Sequence, residues 1–99
     1  MAQPFASGYW HVRPGSEDTF IARWTEFLQW TRDTHPGLVA ATLLRDGDEP
    51  SHFVSFAEWR DTESRAAWKQ SDGFMERFAP CRELCDEMRG ADYDHVVTV

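Results

Sequence analysis

The 99-residue chain predicts an α+β domain of the ferredoxin-like type: β-α-β-β-α-β order, a four-stranded antiparallel sheet, and both long helices on one face. Three observations carry this expectation. Ser7 to Arg13 alternates small or polar residues with aromatic and aliphatic ones, the period of a half-buried strand. Phe20, Trp24, Phe27, Leu28 and Thr31 then recur at helical spacing, with Ile21 at the edge of the stripe. Finally, Phe53-Val54-Ser55-Phe56-Ala57-Glu58-Trp59 runs directly into Arg60-Asp61-Thr62-Glu63, a strand pattern followed at once by an acid-rich helix start. A chain of this length has room for one domain, spanning residues 1–99.

The elements follow in order. Pro14-Gly15 stops the first strand. Ser16 is the expected N-cap of the first helix, with Glu17 and Asp18 suited to the positive end of its dipole. That helix runs to about Thr34 and ends at His35-Pro36-Gly37, where the imidazole suits the C-terminal dipole. Leu38 to Arg45 is the second strand, Asp46-Gly47-Asp48-Glu49-Pro50 a hairpin loop, and Ser51 to Arg60 the third strand. Asp61 caps a second helix through about Gln70, broken by Ser71-Asp72-Gly73. A short helical turn holds Phe74 and Phe78. Pro80 then opens, and Gly90 closes, a third helix. Tyr93 to Val99 alternates as the last strand.

Composition bounds the function. Seventeen acidic against ten basic side chains give a net charge of −7, with basic residues clustered only around Arg82 and Arg89. Nucleic-acid binding and an anionic membrane surface are therefore disfavoured. The longest apolar run, Leu38 to Leu44 broken by Thr42, is too short to span a bilayer. Met1-Ala2-Gln3-Pro4 shows no basic region followed by an apolar segment, so a cytoplasmic location is expected. Cys81 and Cys85 share one face of the expected third helix, a poor geometry for a disulfide, and read as small buried hydrophobes.

Parity places residues on the two faces of the sheet. If Trp10 and Val12 face the helices, Tyr9, His11 and Arg13 face away. Phe53, Ser55, Ala57 and Trp59 then face the helices, and His52, Val54, Phe56 and Glu58 lie opposite. A sheet face carrying Tyr9, Val54, Phe56 and Val97 is too apolar for water and predicts a two-fold homodimer. His11, His52 and His95 would share that face, either as polar members of the dimer interior or as ligands of one ion; the former is the reading adopted, with no metal expected.

Several short segments have a recognisable order. Val12-Arg13-Pro14-Gly15 closes the first strand, Pro36-Gly37 precedes the second, and Leu44-Arg45-Asp46 leads into the hairpin. Phe53-Val54 leads to Glu58-Trp59, and a helix ends near Ser71 before Phe74. In this order and spacing the chain, over essentially its whole length, resembles the antibiotic biosynthesis monooxygenase family of dimeric α+β barrel proteins. The resemblance implies a homodimer and a small aromatic substrate. In one branch, molecular oxygen oxidises aromatic polyketides to quinones with no metal, flavin or other cofactor. There the substrate lies near a tryptophan that matches Trp59. Ser55 stands where that branch has asparagine, Arg65 where it has tyrosine, and Arg77 near an arginine. A second branch degrades haem. Its tryptophan matches Trp68, but its iron-ligating histidine falls on Arg77 or Phe78 and its asparagine on Gly8.

The expected site follows from both readings. Trp10, Trp24, Trp59 and Trp68 would wall a pocket for a flat ring, with Phe74, Phe78 and Arg65 as further binding residues. Arg77 could stabilise developing negative charge and Ser55 could hydrogen-bond a carbonyl, so Trp59, Arg77 and Ser55 are the catalytic candidates. Trp24, mid-stripe on the long helix, suits the core better than the pocket, and Arg77 also fits a solvated helix position. The chain is read as a small monooxygenase acting on an aromatic or quinol-like molecule. The alternative is a non-catalytic, dimeric ligand-binding or stress-related module, with haem degradation behind both.

Overall fold

The computed structural model describes residues 3–99, so the Met1-Ala2 part of the leader reading lies outside the described residues. The elements are β1 (Pro4–Val12), α1 (Glu17–Thr34), β2 (Leu38–Arg45), β3 (His52–Trp59), α2 (Thr62–Gln70), α3 (Asp72–Arg82) and β4 (Cys85–Asp94). The strands form one sheet in the order β2-β3-β1-β4, every neighbouring pair antiparallel. This is the expected ferredoxin-like arrangement. Among the described residues, no helix is long and apolar enough to cross a membrane.

Parity along β1 is strict. Ala6, Gly8, Trp10 and Val12 are buried, and Phe5, Ser7, Tyr9 and His11 between them are partly open. On β3, Phe53, Ser55, Ala57 and Trp59 are buried toward the helices. The α1 stripe meets them with Phe20, Trp24, Phe27 and Thr31, and Leu28 packs at its margin. Each fully buried phenylalanine contributes about 1.5–3 kcal/mol of transfer free energy.

The helix ends differ in how their amides are satisfied. Asp61 caps α2 as expected, its carboxylate accepting the Ser64 amide at 2.7 Å. Ser16 makes no side-chain cap bond. Glu17 serves that end of α1 instead, accepting from the Gly15 amide at 2.9 Å and the Ser51 hydroxyl at 3.0 Å. Gly15 needs its φ of 96°, which L side chains rarely adopt. His35 follows α1 but lies half-buried against Trp30 and Trp59, and this burial pushes its imidazole pKa down. Desolvation disfavours the charge that the helix dipole would reward.

The C-terminal quarter differs from expectation. Pro80 lies inside α3, which stops two residues later at Arg82, and the predicted helix from Pro80 to Gly90 is largely strand. Pairing along all of β1, from Pro4↔Asp94 to Val12↔Cys85, outweighs the helix propensity of Arg-Glu-Leu-Cys-Asp-Glu-Met-Arg. A bulge at His11/Val12 also breaks the alternation by which β4 could be read. The last strand therefore ends at Asp94 rather than running from Tyr93 to Val99. Val96, Val97 and Val99 are exposed, so Val97 does not belong to the open sheet face. Cys81 and Cys85 fall on α3 and β4 rather than one helix; both thiols are buried, and desolvation raises them to about 12 and about 11.

Candidate functional site

A pocket of about 250 Å³ opens between the sheet and the helices. Its floor is the helix-facing side of three strands: Ala6, Gly8 and Trp10 of β1, Ser55 and Ala57 of β3, Met88 and Gly90 of β4. Its walls are aromatic. Trp24 and Phe27 come from α1, Trp68 from α2, and Phe74 and Phe78 from α3. The i, i+4 spacing of Phe74 and Phe78 stacks their rings 5.2 Å apart, and Trp68 meets Phe74 edge-on at 4.9 Å. Such rings lose little conformational freedom on ordering and present flat apolar faces.

Two hydroxyls hold the tryptophans in place. Thr31 accepts the Trp68 indole N–H at 3.1 Å while donating to the Phe27 carbonyl at 2.9 Å. Ser55 accepts the Trp10 indole N–H at 3.0 Å, and among the described residues its own proton has only the Gly8 carbonyl at 3.5 Å. The Ser55 oxygen is thus anchored, whereas its proton is weakly held and free to turn toward a ligand oxygen. Gly8 makes this junction possible: a Cβ there would sit 2.7 Å from Trp10 Nε1 and 2.9 Å from Ser55 Oγ.

Of the residues expected from the sequence, the structure brings Trp10, Trp24, Ser55, Trp68, Phe74 and Phe78 to this one pocket. Trp59 lies behind it, fully buried, its ring 4.9 Å from that of Trp68, and its indole N–H has no partner among the described residues. Arg65 is also outside. It donates to the Phe5 and Tyr93 carbonyls at 2.9 and 3.3 Å, fastening α2 to the ends of β1 and β4. Arg77 is directed elsewhere, its guanidinium 5.6 Å above the Trp30 ring in an outer groove with Arg23 and Glu26. The structure does not bring it to the aromatic pocket.

Among the lining residues that sequence reasoning missed are Phe27, Lys69, Met88, Gly8 and Gly90. Lys69 was within reach, since Arg65, Trp68 and Lys69 share one helix face at i, i+3, i+4. Met88 and Gly90 could not be placed while β4 was read as helix.

The histidines separate. His11 and His52 are register partners with rings 4.0 Å apart on the open face, and Tyr9 Oη lies 3.2 Å from His52 Nδ1. His95 is elsewhere, stacked on Phe5 and bonded to Thr98, because the chain beyond Asp94 leaves the sheet. The three-histidine cluster is therefore not formed. Among the described residues, no group of three or more His, Cys, Asp or Glu could hold a metal ion.

The profile of the antibiotic biosynthesis monooxygenase family matches residues 5–79. Among solved structures, one similar chain is SnoaB of Streptomyces nogalater, a cofactor-independent oxygenase crystallised as a single-site variant. It is 21% identical, with a TM-score of 0.89 over 98% of this chain and 96% of that one. A candidate antibiotic biosynthesis monooxygenase of Bordetella bronchiseptica is 18% identical, with a TM-score of 0.84 over 98% and 100%. A conserved protein of Methanosarcina mazei is 21% identical, at 0.83 over 94% and 92%. At these identities the likeness is one of fold. No curated protein matches the sequence.

Proposed function

The chain belongs to the antibiotic biosynthesis monooxygenase family, and from that premise we propose that it is a cytoplasmic, homodimeric monooxygenase. Its substrate is a flat aromatic or polyphenolic molecule, oxidised by molecular oxygen without a metal or flavin. One observation carries this reading: aromatic residues from all three helices and the sheet converge on one largely apolar pocket. At about 250 Å³ it lies just below the usual range for drug-sized ligands, which suits one compact, planar molecule. The cofactor-independent oxygenase from Streptomyces nogalater supports the reaction class.

The chemistry balances with the substrate as its own reductant. A phenolate gives electrons to dioxygen; one oxygen atom joins the ring carbon opposite the phenolic oxygen and becomes a carbonyl, while the other leaves as water. The product is a quinone. The pocket contributes a slot walled by aromatic rings, and the Ser55 hydroxyl is available to a ligand carbonyl or phenolic oxygen.

The open sheet face supports the dimer. Leu44, Val54 and Tyr9 form one row across β2, β3 and β1, and Phe56 stands in the next. A second copy would cover this apolar surface, as two-fold self-association of one face requires. In solution the mass should be near twice 11.5 kDa.

The test is oxygen uptake above the protein-free rate with naphthols unsubstituted at the carbon opposite the hydroxyl, under isotopically labelled dioxygen. One labelled oxygen per quinone formed is expected, with the second recovered as water. Trp68→Ala should weaken ligand binding by roughly 1–3 kcal/mol. One observation favours a second reading, a binding module without turnover: no carboxylate, imidazole or phenol lines the pocket among the described residues, so it supplies no evident general base. Tight binding of these molecules with no uptake by any of them would favour the module over the enzyme.

A further inference from the structure

Lys69 is the one charged side chain lining the pocket among the described residues. It directly follows Trp68, a pocket wall, so its stem begins at the aromatic surface against which a ligand would lie. Its ammonium pairs with Asp92. Asp92 stands opposite Ala6 in the register, two residues beyond the lining Gly90 on the same face of β4. The same carboxylate takes Arg65 Nε at 3.7 Å. Two cations therefore share one anion, and a net positive charge remains at the edge of an otherwise apolar pocket.

The two cations are held unequally. Arg65 is only 15% exposed and is also bonded to two backbone carbonyls. Lys69 is 39% exposed, with Asp92 as its one side-chain partner among the described residues. If Lys69 turned from Asp92 to an anion in the pocket, Asp92 would keep Arg65 and no charge would be stranded. Apolar walls exclude water and strengthen such an ion contact relative to solution.

We infer that Lys69 is a specificity-determining residue that receives an ionised oxygen of the ligand. The substrate class is then a planar aromatic whose hydroxyl is acidic enough to ionise near neutral pH, in preference to a neutral arene. This rests on the reading of the pocket as the aromatic site. It also answers the lack of an evident base there: the ligand arrives as its own anion, and the ammonium selects it.

The experiment compares 4-nitro-1-naphthol, at a pH where it is ionised, with its uncharged methyl ether, by calorimetric titration of the full chain. The anion should bind about ten-fold tighter than the ether, the scale of one charge-assisted hydrogen bond. Lys69→Met should erase that preference while leaving the ether's affinity intact, and Lys69→Arg should retain most of it. Asp92→Asn removes the competing carboxylate and should raise affinity for the anion alone. An unchanged anion-to-ether ratio in Lys69→Met, or weaker anion binding in Asp92→Asn, overturns the assignment while leaving the aromatic pocket standing. If neither naphthalene binds, the pocket reading and the Lys69 role fall together.

Discussion

Replacing Ser55 with alanine removes the one acceptor of a fully buried indole. Trp10 has no exposed surface and Ser55 only 5%, and their hydrogen bond is 3.0 Å long. The second bond of Ser55, at 3.5 Å to the Gly8 carbonyl, is at the limit of useful length and adds little. The cost is therefore set by the stranded Trp10 N–H, about 1–3 kcal/mol for a buried donor left without a partner. A double-mutant cycle separates this from general loosening. In Trp10→Phe the donor is absent, so the added loss of the Ser55 hydroxyl should matter little. The coupling between the two sites should be about 1–2 kcal/mol. Urea unfolding followed by far-ultraviolet circular dichroism at one fixed protein concentration is the assay, since fluorescence would change with the tryptophan itself and association shifts apparent stability. A loss below about 0.5 kcal/mol in Ser55→Ala would mean that pocket water satisfies the indole. Strict additivity in the cycle would refute the bond's role directly.

Phe56→Asp places a carboxylate on the open sheet face, beside Thr42 and Ser7 in the register. Burying it unpaired between two copies costs several kcal/mol, on the order of 2–7 for a polar group without a partner, so light scattering should show dissociation; an intact dimer would place the interface elsewhere. His35 gives a pH dependence with a definite sign. Its folded pKa lies below the unfolded value, so the unfolded chain binds the proton more readily and stability falls as pH drops through the ordinary histidine range. His35→Gln should flatten the denaturation midpoint across that range, and an unchanged slope would show that another group is responsible.

The segments that could be read from sequence are those whose burial alternates without interruption. In β1 and β3 each helix-facing residue stands two positions from the next, so a correct parity at Trp10 places Gly8, and one at Trp59 places Ser55 and Ala57. In α1 the stripe is set by Phe20, Trp24 and Phe27 at intervals of four and three. β4 offers neither signal. Its helix-facing residues are Cys85, Met88, Gly90, Asp92 and Asp94, two of them acids and one without a side chain, and the bulge shifts their spacing. Pro80 and Gly90 meanwhile imitate the start and stop of a helix. Its exposed acids also suit an edge strand, where charge discourages pairing with other chains, and that role is invisible until the neighbour is known.

The error in β4 carried over into the site. With Cys85 to Gly90 read as helix, nothing places Asp92 beside Arg65 and Lys69, so the helix face shared by Trp68 and Lys69 gives no sign of the ion contact at the pocket edge. The positive charge that an aromatic anion needs was sought instead at Arg77, by resemblance. The structure gives Arg77 to Trp30 and a surface groove, and sets Lys69 at the pocket edge. Aromatic walls follow from local periodicity because each ring is placed by its own element. An ion contact between α2 and β4 depends on sheet register, here the pairing of Ala6 with Asp92. The walls were therefore open to inference from single segments, whereas the charge that would select among ligands required the partner strand.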